Sequence, residues 1–166
     1  MESDHQPLQT VNSVDLTRYA GTWYEIARLP MWFQRDCVAS QAIYTLLLNG
    51  KIQVQNQCRT KSGDQKQVQG VATVVDTTTN AKFYVVFNNW VAKLFSGWGS
   101  ASTTGNYWIL HLDPAYQAAL VGTPDREYLW ILSRTTTLDQ TIYEQLVSLG
   151  KQKGYLTADL IRDSHP

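Results

Sequence analysis

Eight short runs rich in aromatic and β-branched residues, spaced at near-regular intervals by turn formers, constrain this chain more than any other feature. The sharpest marker is Asn49-Gly50, between Ala39–Leu48 and Lys51–Arg59. Asn-Gly between strand-like runs is the strongest short-range hairpin signal, because both residues tolerate positive φ. The first run, Trp23–Leu29, stops at Pro30, whose nitrogen carries no hydrogen for a ladder. Lys61-Ser62-Gly63-Asp64 leads into Gln67–Asp76, and Thr77-Thr78-Thr79-Asn80 into Ala81–Asn88. After a long loop, Asn89–Gly105, come Asn106–Leu112, Ala118–Val121 and Glu127–Arg134. Such a series predicts an all-β fold, an eight-stranded antiparallel up-and-down β-barrel, whose closure leaves no sheet edge exposed. A barrel of that size is just wide enough to fill with side chains or to hold one small ligand.

Helical signals are confined to two places. Asp15 is placed to cap a short turn over Val14–Tyr19. Near the other end Ile142, Leu146 and Leu149 fall at i, i+4 and i+7, one apolar stripe that would pack a single C-terminal α-helix outside the barrel. Thr137 and Gln140 have capping-box spacing, Lys153-Gly154 marks the stop, and Tyr155–Ile161 reads as an edge strand. With 166 residues the chain reads as a flexible N-terminal segment, 1–13, and a single domain, 14–166.

Charge narrows the function. Fourteen basic residues balance fourteen acidic ones, so nothing provides an electrostatic footprint for nucleic acid. No apolar run is long enough to cross a membrane as a helix. The polar start, Met1–Pro7, lacks a secretory core: taken as native it implies a cytosolic protein, taken as a replaced leader it implies a mature chain. No metal cluster, phosphate loop or Ser-His-Asp order is visible, and no cofactor is expected. Cys37 and Cys58 are open to two readings, a bridge or two free thiols. Counted from Asn49-Gly50, Cys58 falls opposite Ser40 or Gln41, so a bridge requires a bulge or a loosened strand start.

Following the hairpins up and down puts Trp23, Asn49-Gly50, Asp113-Pro114 and Arg134 at one tightly turned end. The loops at 30–36, 60–66, 89–105 and 122–126 fall at the other, and the result is a cup. Gly21, Trp23 and Arg134 are expected to form its floor, with the guanidinium over the indole, a contact of about 1–2 kcal/mol when desolvated.

Three tracts carry a resemblance. Gly21-Thr22-Trp23-Tyr24 resembles the first motif of the lipocalin family. Tyr107-Trp108-Ile109-Leu110-His111-Leu112-Asp113-Pro114-Ala115-Tyr116 resembles the second, and Ser133-Arg134 the third. The longer tracts Tyr19–Arg28 and Pro124–Arg134 are similar to bacterial outer-membrane lipocalins and to their relative apolipoprotein D. The resemblance implies binding, storage or transport of lipids such as fatty acids and lysophospholipids. It also implies a lipid-anchored outer-membrane or periplasmic location, although no Cys precedes Cys37; plant relatives without a leader keep a soluble location open. An oxidising location favours the Cys37–Cys58 bridge.

With the family's parity, the expected inward set is Trp23, Glu25, Ala27 and Leu29; Ala42, Tyr44 and Leu46; Ile52, Val54 and Asn56; Val68, Gly70, Ala72 and Val74. It continues with Phe83, Val85 and Phe87; Tyr107, Ile109 and His111; and Tyr128, Trp130 and Leu132. The candidate ligand residues are Tyr107, Trp130, Tyr44, Asn56, Tyr128, Val54, Val85, Phe87, Ile109 and Val68. Of these, Tyr107, Tyr128 and Trp130 are expected towards the mouth. Met31, Trp32, Phe33, Trp90, Leu94, Phe95 and Trp98 would act as a lid or rest on a membrane surface. The expected partners are therefore a lipid and a membrane surface, with a weak homodimer left open. Two rival readings stand beside the carrier: an enzyme, for which only Cys37, Glu25 and His111 are available, and a protein-interaction module.

Overall fold

A computed structural model of the chain describes residues 6–31, 34–87 and 101–166. Eight antiparallel strands close on themselves: β1 (Gly21–Arg28), β2 (Cys37–Leu46), β3 (Ile52–Thr60), β4 (Gln65–Val74), β5 (Lys82–Phe87), β6 (Tyr107–Leu112), β7 (Ala118–Gly122) and β8 (Leu129–Ser133). Neighbours in sequence are neighbours in space, and β1 pairs with both β8 and β2 to complete the ring. A ninth strand, β9 (Ile161–Arg162), adds to β1 from outside the ring. Among the described residues three α-helices accompany the strands, α1 (Leu16–Tyr19), α2 (Ala101–Thr104) and α3 (Gln140–Gln152), and a 3-10 turn, Thr157–Asp159, occupies part of the stretch expected as an edge strand. The expected barrel with one C-terminal helix is what forms.

Local chemistry explains the element ends. The Asp15 carboxylate accepts from the Thr17 and Arg18 amides and starts α1. Gly50 takes the left-handed φ of +84° that the hairpin demands, while the Asn49 side chain accepts from the Lys51 amide. The expected capping box of α3 is corrected: Asp139 is the cap, accepting from Thr141 and Ile142 amides. A carboxylate two residues further on satisfies the same orphan donors with a full charge. The stop at Lys153-Gly154 holds, with Gly154 at φ +97°.

Two apolar layers result. Inside the ring Tyr19, Trp23, Tyr44, Phe83, Ile109 and Val121 pack together. Outside it Ile26, Ala27, Leu29, Leu120, Leu129 and Ile131 meet Leu146 and Tyr155. The helix face centres on Leu146 and Gly150 rather than on Ile142, which stays 41% exposed. Gly150 permits that approach, because a Cβ there would stand 2.9 Å from Leu129 Cδ2. Within the stretch expected as a flexible lead-in, Leu8 packs on the outer layer and the Val11 amide donates to Ile109 O.

Two bulges reverse the expected parity. The β1–β8 register shifts between Glu25 and Ala27, and the β6–β7 register between Ile109 and His111. A single inserted residue turns every later side chain to the other face. Ala27 and Leu29 therefore face the helix layer rather than the cavity, and Arg28 turns inward in their place. His111 likewise leaves the barrel and lies in a groove under α3 with Asp113 and Leu146. Its burial there lowers its pKa, against the opposing pull of Asp113.

Candidate functional site

The barrel encloses a cavity of about 210 Å³, somewhat larger than the roughly 150 Å³ that accepts a benzene ring. Strand alternation delivers its apolar wall: Ile52 and Val54 from β3, Val68 and Ala72 from β4, Phe83, Val85 and Phe87 from β5, and Trp130 and Leu132 from β8. Of the ten expected ligand residues, Tyr107, Trp130, Tyr44, Asn56, Val54, Val85, Phe87 and Val68 line this cavity. Two do not. Ile109, fully buried, belongs to the packed layer beneath it. Tyr128 precedes β8, and its ring stacks on Trp130 at 6.4 Å instead of lining the cavity.

The floor is built from Trp23 and Arg134. The guanidinium carbon stands 3.9 Å from the indole centroid. Its nitrogens donate to backbone carbonyls of Tyr116, Ala20, Thr22, Arg18 and Tyr19. Trp23 Nε1 donates to Tyr19 O, and Gly21, at φ +105°, lets the chain pass under Arg134. Trp23 also forms the bottom of the cavity, so floor and site share one residue.

Directly above lies a group of three phenols. The Tyr107 hydroxyl is 2.6 Å from that of Tyr19 and 2.9 Å from that of Tyr44. Tyr107 is thus deep in the barrel, not at the mouth: β6 enters the sheet opposite Phe83, near the start of β5. Phe83 stacks on Tyr107 at 5.3 Å, and Tyr19 on Tyr44 at 5.7 Å. Burial pushes all three phenols up, Tyr44 to about 12, so they are neutral donors at physiological pH. Three hydroxyl hydrogens enter only two mutual bonds. Whatever the orientation, one proton is left over at the cavity bottom, and Arg134 beneath adds positive potential to the same place.

A different polar group occupies the upper wall. Glu25 and Ser40 line the cavity there, near Met31, Gln34 and Cys37. Arg28 Nη1 donates to Glu25 Oε2 at 3.1 Å and to Asp163 Oδ1 at 3.4 Å, while Nη2 donates to Gln34 O and Cys37 O. Asp163 Oδ2 in turn accepts from the Ser40 amide at 2.9 Å. Burial first, and then the adjacent Glu25 charge, hold the Asp163 carboxyl well above the ordinary carboxylate range. Glu25 is partnered by Arg28, while the bulge after Ile109 sends His111, also in the expected inward set, out of the barrel.

Cys37 and Cys58 are bridged, with Cα atoms 5.6 Å apart. Cys58 pairs with Ser40 as counting from the hairpin indicates, and a register shift between Cys37 and Ala39 carries Cys37 across. Met31 is 3% exposed and lines the cavity. The other residues expected as lid or membrane contacts, Trp32, Phe33, Trp90, Leu94, Phe95 and Trp98, lie outside the described residues.

Sequence reasoning missed Tyr19, because a residue in a single helical turn has no strand parity to read. It also passed over Ser40, although Ala42 and Tyr44 on the same face point to it. Asp163 had no local signal at all.

The cup, its staple of Arg134 on Trp23 and its apolar lining define a class of proteins that bind small hydrophobic molecules. A lipocalin-like domain matches residues 14–165, and the chain belongs to the lipocalin family. It is 37% identical over 155 residues to temperature-induced lipocalin-1 of Arabidopsis thaliana, covering 92% of this chain and 80% of that one. It is 33% identical over 157 residues to the outer membrane lipoprotein Blc of Escherichia coli K12, covering 94% and 82%. Among solved structures, the major allergen Per a 4 from cockroaches shares the fold with a TM-score of 0.67 at 22% identity, over 99% of this chain and 97% of that one.

Proposed function

We propose that the protein binds, stores or transports single-chain lipids, fatty acids and lysophospholipids, in its barrel cavity. The observation that carries this reading is the pairing of an apolar shaft with one unspent phenol proton at its bottom. A fatty acid entering carboxylate first would accept that proton over the positive floor. Its chain would then run up past Val54, Val68, Ala72 and Val85. Each buried methylene contributes about 0.8 kcal/mol. A lysophospholipid would leave its head group at the mouth, among Asn56, Lys66 and Gln67.

The bridged cysteines support an oxidising compartment such as the bacterial periplasm. Resemblance to an outer membrane lipoprotein supports work at that membrane. A carrier is favoured over a catalyst, since Cys37 is bridged, Glu25 is bound to Arg28 and His111 lies outside the barrel.

The test is a titration of tryptophan emission with a medium-chain fatty acid, together with mass spectrometry of lipids extracted from protein purified from its host. Counting protons makes an unusual prediction. Tyr44→Phe leaves one spare proton and should change affinity by less than about twofold. Replacing Tyr19, Tyr44 and Tyr107 together by Phe leaves none, and should weaken the acid by about tenfold or more, as loss of a bond to a charged group does. An empty cup that also fails to respond to fatty acid would defeat the proposal.

A further inference from the structure

The upper wall holds polar capacity that the fold itself does not use. Ser40 is 7% exposed, its amide is committed to Asp163, and its Oγ is buried with no hydrogen-bond partner among the described residues. A buried hydroxyl left unpaired is costly, and such groups in native proteins ordinarily find a partner in protein, water or ligand. Glu25, 4% exposed, accepts from Arg28 at Oε2 and is hydrogen-bonded to Asp163, which leaves part of a carboxylate's roughly four acceptor positions. Both residues border the cavity.

Arg28 is shared between Glu25 and Asp163, His165 Nε2 stands 3.9 Å from Asp163 Oδ2, and burial together with Glu25 raises the Asp163 pKa. A second carboxylate brought to this place would meet the Glu25 charge, while Arg28 beside it is already committed to Glu25 and Asp163. A hydroxyl would meet acceptors. Ser40 and Tyr44 lie on one face of β2, four residues apart, which separates this place from the phenols by about 13 Å of wall at roughly 3.3 Å per residue.

Resting on the carrier reading above, we propose that Glu25 and Ser40 form a second polar station, which takes a hydroxyl borne well along the ligand's chain. The preferred ligand is then a hydroxylated fatty acid: its carboxylate goes to the phenols at the floor and its hydroxyl to Glu25 and Ser40. The two stations read opposite chemistry. One supplies a proton, the other accepts one, and the spacing between them selects where the hydroxyl stands.

The test compares three probes in the same emission titration of the full chain: a medium-chain fatty acid, its ω-hydroxy derivative and the α,ω-diacid of equal length. The hydroxy acid should bind about tenfold tighter than the parent acid, and the diacid weaker than either. Ser40→Ala should erase most of the hydroxy advantage, weakening the hydroxy acid by several-fold more than the parent acid. Glu25→Gln should reduce the penalty on the diacid. Since Glu25→Gln disturbs a buried ion pair and can fail to fold, Ser40→Ala and Ser40→Val carry the test without it. A parent acid that binds at least as tightly as the hydroxy acid would overturn this proposal and leave the carrier reading intact. If none of the three binds, the carrier reading falls, and this one with it.

Discussion

The barrel wall holds two arginines in opposite ways. At the floor Arg134 is bound to neutral groups, five backbone carbonyls and an indole face, and remains partly open to water. On the upper wall Arg28 is 2% exposed and held by two carboxyls, one of which burial pushes towards its acid form. A cation that ties carbonyls together depends little on its surroundings, because nothing there titrates. A cation buried against acids is a coupled system, in which each member keeps the others from being stranded. The floor is therefore a fixed joint and the upper wall a conditional one.

The largest expected effect tests that difference. Arg28→Ala strands Glu25 beside Asp163 and should cost about 3–5 kcal/mol in chemical denaturation, as removal of one partner of a buried ion pair does. Arg134→Ala loses a cation–π contact and a set of carbonyl bonds that water can partly replace. It should cost about 2 kcal/mol and weaken fatty-acid affinity by less than the triple phenol replacement does, because the positive potential of the floor is lost while the phenols above it remain. Equal costs for the two variants would remove the distinction between the joints.

A subtler test uses pH. The folded chain retains a proton on Asp163 that the unfolded chain releases above about pH 4. The stability this proton contributes is complete below the ordinary carboxylate pKa and drains away as pH rises towards the raised value. Denaturation curves of the wild type should therefore weaken with rising pH relative to those of Asp163→Asn. The slope should be at most about 1.4 kcal/mol per pH unit. Parallel curves would show that Asp163 folds as an ordinary carboxylate.

The two regions were also unequally legible. The floor could be traced from turns alone: Asn49-Gly50 and the hairpins around it set which end Trp23 and Arg134 occupy. The ring, the helix and the disulfide register were readable for the same reason, since each follows from local spacing. The upper wall was not. Its parity depends on bulges beside Ile26 and Leu110, where apolar residues stand on both faces and period two gives no warning. Its acid, Asp163, lies 135 residues from Arg28, a separation that no local pattern spans. The same blindness misplaced His111 outside its groove and Tyr107 too near the mouth.

The way β1 is paired bears on how the cup comes into being. Residues 21–24 of β1 pair with β2, whereas residues 24–28 pair with β8 and Ala27 and Arg28 with β9. Beyond Gln41 the seam between β1 and β2 is closed by the segment after α3: the Asp163 amide donates to Ile26 O, and the Ser164 amide to Val38 O. A strand made early in synthesis thus waits for partners made more than a hundred residues later. Contacts of such long range are slow to form, which places ring closure late on the folding path. Until then β1 presents an unpaired edge, and a nascent chain in that condition is open to pairing with a neighbour. The same seam that seals the finished cup is thus where its assembly is most exposed to error.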